Sequence, residues 1–198
     1  MKLPDKALVE SVLIVAHPDD EILWFSSILN RVDKIIICFL DAGHSSYLGD
    51  ARRRSIDFPL YRDRITLLDI AQSKSHNMSS WPGPVLTDYG LQLSKDQQLD
   101  RLHKEQATRL NAALTPFIQG AKNVFTHNPW GEYGHEDHVQ LNRVVTRIAS
   151  DMGKSVWYSN YVSNKSSTLM HSYTDGLKSL YYTMPVDTEH AREVAATY

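Results

Sequence analysis

The sequence predicts an α/β fold, Rossmann-like and three-layered, with a mainly parallel sheet and helices on both faces. Three observations predict it. Residues 12–16, VLIVA, and 35–40, IIICFL, are short apolar runs rich in β-branched residues and without polar alternation, as expected of strands covered on both faces. Between them, DEILWFSSILNR carries Ile22, Leu23, Phe25, Ser26, Ile28 and Leu29 at spacings a helix can use. Strand, helix and strand thus follow within about thirty residues, the span of a βαβ unit. Strand-like and helix-like stretches then keep alternating toward the C-terminus, which indicates a layered architecture.

The later elements follow in order. RDRITLLDIAQ reads as a helix, and residues 73–95, rich in Ser, Pro, Gly and Asn, read as a long connection. KDQQLDRLHKEQATRLNAALTPFI is strongly amphipathic, with Leu99, Leu102, Ala107, Leu110, Ala113 and Leu114 on one side. NVFTHN is the next strand, EDHVQLNRVVTRIAS a helix, SVWYSNYV a late strand and DTEHAREVAATY a terminal helix. No repeat or boundary divides residues 1–198, so one domain is expected.

Composition narrows the function. A net charge of −2 argues against a nucleic-acid or membrane-surface partner. The short run Arg52, Arg53, Arg54 is either a solvated face or an anion site. The single cysteine, Cys38, sits in an apolar run, cannot form an internal disulfide and fits a reducing compartment. The N-terminal stretch is too polar for a signal peptide, and no run reaches the roughly 18 apolar residues of a membrane span. A cytoplasmic protein is expected.

Two clusters carry the chemistry. VAHPDDEILW places His17, Pro18, Asp19, Asp20 and Glu21 just beyond the first strand. In parallel sheets, ligands gather at the carboxyl ends of strands. His17 and Asp20, three apart, can face one side of a starting helix, and Asp19 then points elsewhere. Helix capping accounts for one aspartate but not for His17 and two further acids. Capping and metal ligation both stay open for this cluster by itself. HNPWGEYGHEDH, residues 127–138, also follows a strand and precedes a helix. His135 and His138 are three apart, unlike the four of HExxH zinc proteases. Gly131 and Gly134 allow a tight loop. Taken together, the clusters suit a catalytic zinc, which commonly has three protein ligands and one position for water. One histidine and one aspartate from the first loop and one histidine from the second would suffice. A carboxylate and a histidine remain for proton transfer. His76, His103 and His190 read as satisfied or solvent-facing, and His127 is undecided.

AHPDDE with a distant YGHEDH closely resembles the PIG-L/LmbE family of zinc-dependent N-deacetylases, over roughly residues 10–162. The resemblance implies a hydrolase that removes an acetyl group from an N-acetylglucosamine-type sugar or glycoconjugate, with one Zn²⁺ per chain or another divalent transition metal. It implies His17, Asp20 and His138 as metal ligands and Asp19 as general base. His135, protonated, would stabilise the oxyanion or protonate the amine, Asp137 would orient a histidine, and Tyr133 would close over the substrate. The family commonly has proline where this chain has Glu136. It also commonly has a substrate-holding arginine; Arg53, Arg54 and Arg62 are candidates here.

Among aromatics, Trp130, Tyr133 and Trp81 are candidate sugar platforms, whereas Trp24 and Trp157 read as core. Asp41 and His44 either line the pocket or, with Gly43, make a bend. Two other function classes are weighed: a Mg²⁺ or Mn²⁺ enzyme of phosphoryl or nucleotide-sugar chemistry, and a non-catalytic metal-stabilised binding module. Two histidines in the second cluster disfavour the first, and the lack of further cysteines disfavours the second. The absence of glycine in AHPDDE argues against a phosphate-binding Rossmann loop.

Overall fold

The computed structural model describes residues 1–40, 46–55, 61–72, 84–92, 97–176 and 181–197. Asp41, Gly43, His44, His76 and Trp81 lie outside the described residues, as do the side chains of Arg54 and Leu99. A five-stranded sheet runs through the centre in the order β3-β2-β1-β6-β7, formed by β1 (Ser11–Val15), β2 (Lys34–Ile37), β3 (Ile65–Leu67), β6 (Asn123–Thr126) and β7 (Ser155–Tyr158). Every neighbouring pair is parallel. The remaining strands, β4 (Val85–Thr87) and β5 (Gly90–Gln92), make a separate antiparallel hairpin.

The unbroken apolar runs are explained by burial on both faces. In β1, Leu13 and Val15 pack into one core with Phe25, Ile28, Leu29 and Val194. Val12 and Ile14 point the other way, into a core with Leu110, Leu114 and Ile118 of α3 (Gln97–Gln119) and Leu141, Val145 and Ile148 of α4 (Glu136–Asp151). The first core is covered by α1 (Asp20–Phe25) and α6 (Thr188–Thr197). Three layers result, as the apolar pattern predicts. None of the described helices is long and apolar enough to cross a membrane.

Three local expectations are corrected. RDRITLLDIAQ holds strand β3, not a helix. Ile65 and Thr66 suit a strand, and the open edge of β2 needs a partner for its N–H and C=O groups. That partner is supplied in register from Ile35↔Ile65 to Ile37↔Leu67. The first helix stops at Phe25 rather than continuing to Arg31. The connection at 73–95 contains the β4–β5 hairpin. Two further helices, α2 (Ser46–Ser55) and α5 (Ser167–Gly176), are additions to the sequence-based reading.

The strand order positions the site. From β1 the chain proceeds outward through β2 and β3, and from β6 it proceeds the other way to β7. The crevice beyond the carboxyl ends of β1 and β6 is therefore the switch point, where open α/β sheets bind ligands. His17–Glu21 follow β1 and His127–His138 follow β6, so both sequence clusters enter one crevice.

Candidate active site

The first loop turns on Asp19, whose φ of 106° lies in the left-handed region that side chains rarely adopt. This turn separates the two aspartates. Asp20 is directed inward, where Oδ2 accepts the His17 N–H at 2.7 Å and Oδ1 accepts the Trp24 indole N–H at 3.0 Å. Both bonds favour its ionised form. Asp19 stands at the N-cap position but makes no side-chain capping bond, so helix capping does not account for it. It is exposed at the mouth of the crevice. Partial burial, then the charge of Asp20, pushes its carboxyl up to about 6. Glu21 is buried and accepts the Asp19 N–H at 3.1 Å; burial pushes it up to about 8, so it keeps its proton at neutral pH. Three adjacent acids thus carry fewer than three charges.

The second loop is organised by Glu132, which sequence reasoning missed. Its side chain is fully buried and its φ is +54°. Oε1 accepts from Asn128 N–H at 3.0 Å and Ser159 Oγ–H at 2.7 Å. Oε2 accepts from Nδ1 of His127 at 3.0 Å and Nδ1 of His138 at 2.9 Å. The Asn128 amide oxygen accepts the Glu132 N–H at 2.8 Å, and Ser166 donates to the Glu132 carbonyl. A lone glutamate in a loop has no diagnostic spacing. Its placement between two glycines and two histidine clusters was the available signal.

Glu132 sets the proton positions. With its proton on Nδ1, His138 presents the Nε2 lone pair to Asp20 Oδ1, 3.3 Å away. Two acceptors face each other in a buried space, and His138 Nε2 has no hydrogen-bond partner. Only a cation, whether a proton or a metal ion, satisfies that pair. His17 repeats the pattern: Nε2 is buried without a hydrogen-bond partner, 3.6 Å from Asp137 Oδ2, and Nδ1 lies 3.4 Å from Asp20 Oδ2.

His127 is different, because its Nε2 accepts the Ala16 N–H at 2.9 Å. Burial disfavours charge on this ring, while Glu132 and Asp20 favour it. The Ala16 N–H aimed at Nε2 leaves no place for a second proton, so the ring is neutral and both nitrogens are committed. Two groups of donors lie within 4.8 Å of one another: His17, His135 and His138, and Asp20, His127 and His138. Each member of the ligand set expected from the sequence, His17, Asp20 and His138, belongs to one or both of these groups, and His135 belongs to the first.

His135 caps α4, its Nδ1 accepting the Asp137 N–H at 3.2 Å. Burial, then the neighbouring His138 and His17, pushes it down to about 2. It is neutral with its proton on Nε2, in contrast to the protonated His135 expected from sequence. Asp137 is fully buried and faces His17, consistent with an orienting role. Tyr133 is 42% exposed and stands edge-on to His138 and His135, at 5.7 and 5.8 Å between ring centres. Burial and the charges of Asp20 and Asp19 push its hydroxyl up, so it stays an O–H donor.

Other expectations change. Trp130 is 1% exposed and donates its N–H to the Tyr161 carbonyl at 2.6 Å; it belongs to the core and is no sugar platform. Trp24 is half-buried beside the site rather than simply core. Arg53 forms a two-pronged pair with Asp69 at 2.8 Å. Arg52, which donates to Gln72, is the arginine whose charge acts on Asp19. Gly131 is required: a Cβ there would lie 2.4 Å from the His135 carbonyl oxygen, at φ +66°. Gly131→Ala is expected to cost about 1–3 kcal/mol, read as a lowered Tm. An unchanged Tm would show that the loop does not close as described.

Comparisons with known proteins agree with this fold. The fold is similar to that of a solved structure, the crystal structure of a deacetylase–teicoplanin complex in the biosynthesis pathway of teicoplanin, with a TM-score of 0.57 at 12% identity, covering 94% of this chain and 86% of that one. Residues 12–149 match the model of the PIG-L family, described as GlcNAc-PI de-N-acetylase, and the chain belongs to that family. It is thereby a deacetylase of the PIG-L type. No curated protein sequence matches the chain.

Proposed function

We propose that this protein hydrolyses the acetamide of an N-acetylglucosamine-type sugar or conjugate, releasing acetate and an amino sugar, with zinc held by His17, Asp20 and His138. The observation that carries the reading is the buried His138 Nε2 facing Asp20 with no hydrogen-bond partner, beside an exposed Asp19 that caps nothing. The family's description, GlcNAc-PI de-N-acetylase, supports an acetylated sugar as the reacting group, and the structural neighbour is likewise a deacetylase. Imidazole with carboxylate suits zinc and similar transition ions better than Mg²⁺. A zinc ion held there would act as a Lewis acid on the amide carbonyl and lower the pKa of a water toward neutral.

The chain's own groups do the rest. Asp19, poised at about 6, takes the proton of the attacking water. The His135 Nε2–H and the Tyr133 O–H act as neutral donors to the carbonyl oxygen as charge develops on it. A neutral His135 has no extra proton to give. The leaving amine therefore takes the proton that Asp19 has just accepted. Asp137 and Glu132 hold the rings of His17 and His138, and the charge of Arg52 acts on Asp19.

Glu132→Gln tests the positioning. Glutamine has one oxygen, so it cannot accept from both His127 and His138 while keeping Asn128 and Ser159. Metal affinity is expected to fall about 10–100-fold in competition with a chromogenic chelator, with folding retained. Unchanged affinity would remove Glu132 from the positioning role. The reading as a whole is tested by elemental analysis and by acetate release from N-acetylglucosamine and a panel of its conjugates. Zinc near one per chain with acetate release supports it. No acetate from any substrate by metal-loaded protein sinks it.

A further inference from the structure

A cleft lies beside the catalytic groups rather than over them. It measures about 830 Å³ and runs between α1, the end of β7 with the chain after it, and the segment 181–184. That volume falls within the range of small-molecule sites. Eight aromatic rings line it: Phe25, Phe125 and, nearer the opening, Trp24, Trp157, Tyr158, Tyr161, Tyr181 and Tyr182. At its mouth Leu23, Tyr161 and Tyr181 are 60%, 48% and 52% exposed. Large apolar side chains left exposed around a concavity mark a binding surface. None of the groups assigned to acetamide hydrolysis lines it.

The cleft is continuous with the site through Trp24. That indole donates to Asp20, lies 6.0 Å from the Tyr133 ring and 5.0 Å from the Tyr161 ring, and forms part of the cleft wall. Ser159, another lining residue, donates to Glu132. A substrate whose acetamide lies at Asp19 and His135 carries its next chemical unit across Trp24 and into the cleft.

The lining also selects that unit. Among the described lining residues there is no Lys, Arg, Asp, Glu or His, so none of them neutralises a phosphate or carboxylate, and entry of a charged group would cost desolvation. Flat ring faces suit another flat ring, which stacks with a preferred offset or edge-on geometry. The hydroxyls and amide of Ser27, Ser155 and Asn160 offer partners to polar substituents on such a ring.

We propose that this cleft binds an uncharged aromatic group linked to the acetylated sugar, so that the preferred substrate is an aryl-type glycoconjugate rather than a free sugar or a nucleotide sugar. The proposal rests on the deacetylase reading for its position in the substrate, and its test separates the two.

With full-length, metal-loaded protein, acetate release is measured on N-acetylglucosamine and on its phenyl and octyl β-glycosides. Tryptophan fluorescence is titrated with phenyl β-glucoside, which has no acetamide. Ser27→Phe fills the cleft and Tyr181→Ser removes an exposed ring; neither touches the catalytic groups. The wild type is expected to show a KM for the phenyl glycoside at least about tenfold below that for the free sugar. Each variant should lose that advantage while keeping free-sugar kinetics. Phenyl β-glucoside should quench the wild type and not the filled variant. Equal KM values for phenyl glycoside and free sugar overturn the proposal. So does a larger advantage for the octyl glycoside, which would assign the cleft to an alkyl chain. Absence of acetate from every substrate, with quenching that Ser27→Phe abolishes, leaves the aromatic cleft standing and removes the deacetylase reading.

Discussion

Asp19→Asn is expected to lower kcat by about 10²–10⁴-fold, the usual contribution of a general base, with metal content unchanged. Asparagine has nearly the same shape and tolerates positive φ better than most residues, so the turn at φ 106° survives. The side chain makes no capping bond to lose. What disappears is a carboxylate at the mouth of the crevice, which burial has raised to about 6. Comparing kcat with metal content separates the possible roles. A near-normal kcat ends the assignment of Asp19 as base. A metal-free variant would make Asp19 a ligand instead.

Removing the ring of His138 should have a larger effect on the metal. His138→Ala is expected to lose more than the roughly 10–100-fold in affinity assigned to the outer partner Glu132, and activity with it. The ring links two carboxylates, Nδ1 lying 2.9 Å from Glu132 and Nε2 3.3 Å from Asp20. It also stacks between His127 and His135, with ring centres 3.8 and 4.5 Å apart. Alanine leaves a cavity and removes one donor to Glu132, so some stability is lost as well. His138→Gln, which refills part of the space, keeps the test decisive where alanine unfolds. Circular dichroism reports folding, and elemental analysis reports the metal. A folded variant carrying a full complement of metal would contradict the ligand assignment.

The parts of the fold legible in the sequence are those where one physical cause dominates. β1, β2 and β6 are buried on both faces, and only unbroken apolar runs survive there. In α3 one face is buried, and periodicity marks it; in α4 the first two turns are buried all round, and only the later turns keep an outward face. Residues 62–72 are ambiguous in sequence because Ile65, Leu67, Leu68 and Ile70 fit either period. The open edge of β2 decided the matter, through Leu68 N–H to Ile37 O and Ile70 N–H to Cys38 O. Trp130 shows the converse error. An aromatic in an active loop reads as a platform, yet Tyr161, from a different part of the chain, accepts its N–H and encloses it.

The residue types of the site were legible from their density: two clusters of acids and histidines, each following a strand. Sequence alone therefore determined the chemistry on offer and the edge of the sheet where it would stand. Tertiary structure decided which atoms are offered. His127, just after β6, and His138, in the first turn of α4, are the same residue type, and both bond Glu132 through Nδ1. The Ala16 N–H, 111 positions away in sequence, occupies the remaining nitrogen of His127, whereas that of His138 faces Asp20. A ring nitrogen binds a metal only when its lone pair is free. That depends on the partner of the opposite nitrogen, and partners at such distances in sequence meet only after the sheet has formed.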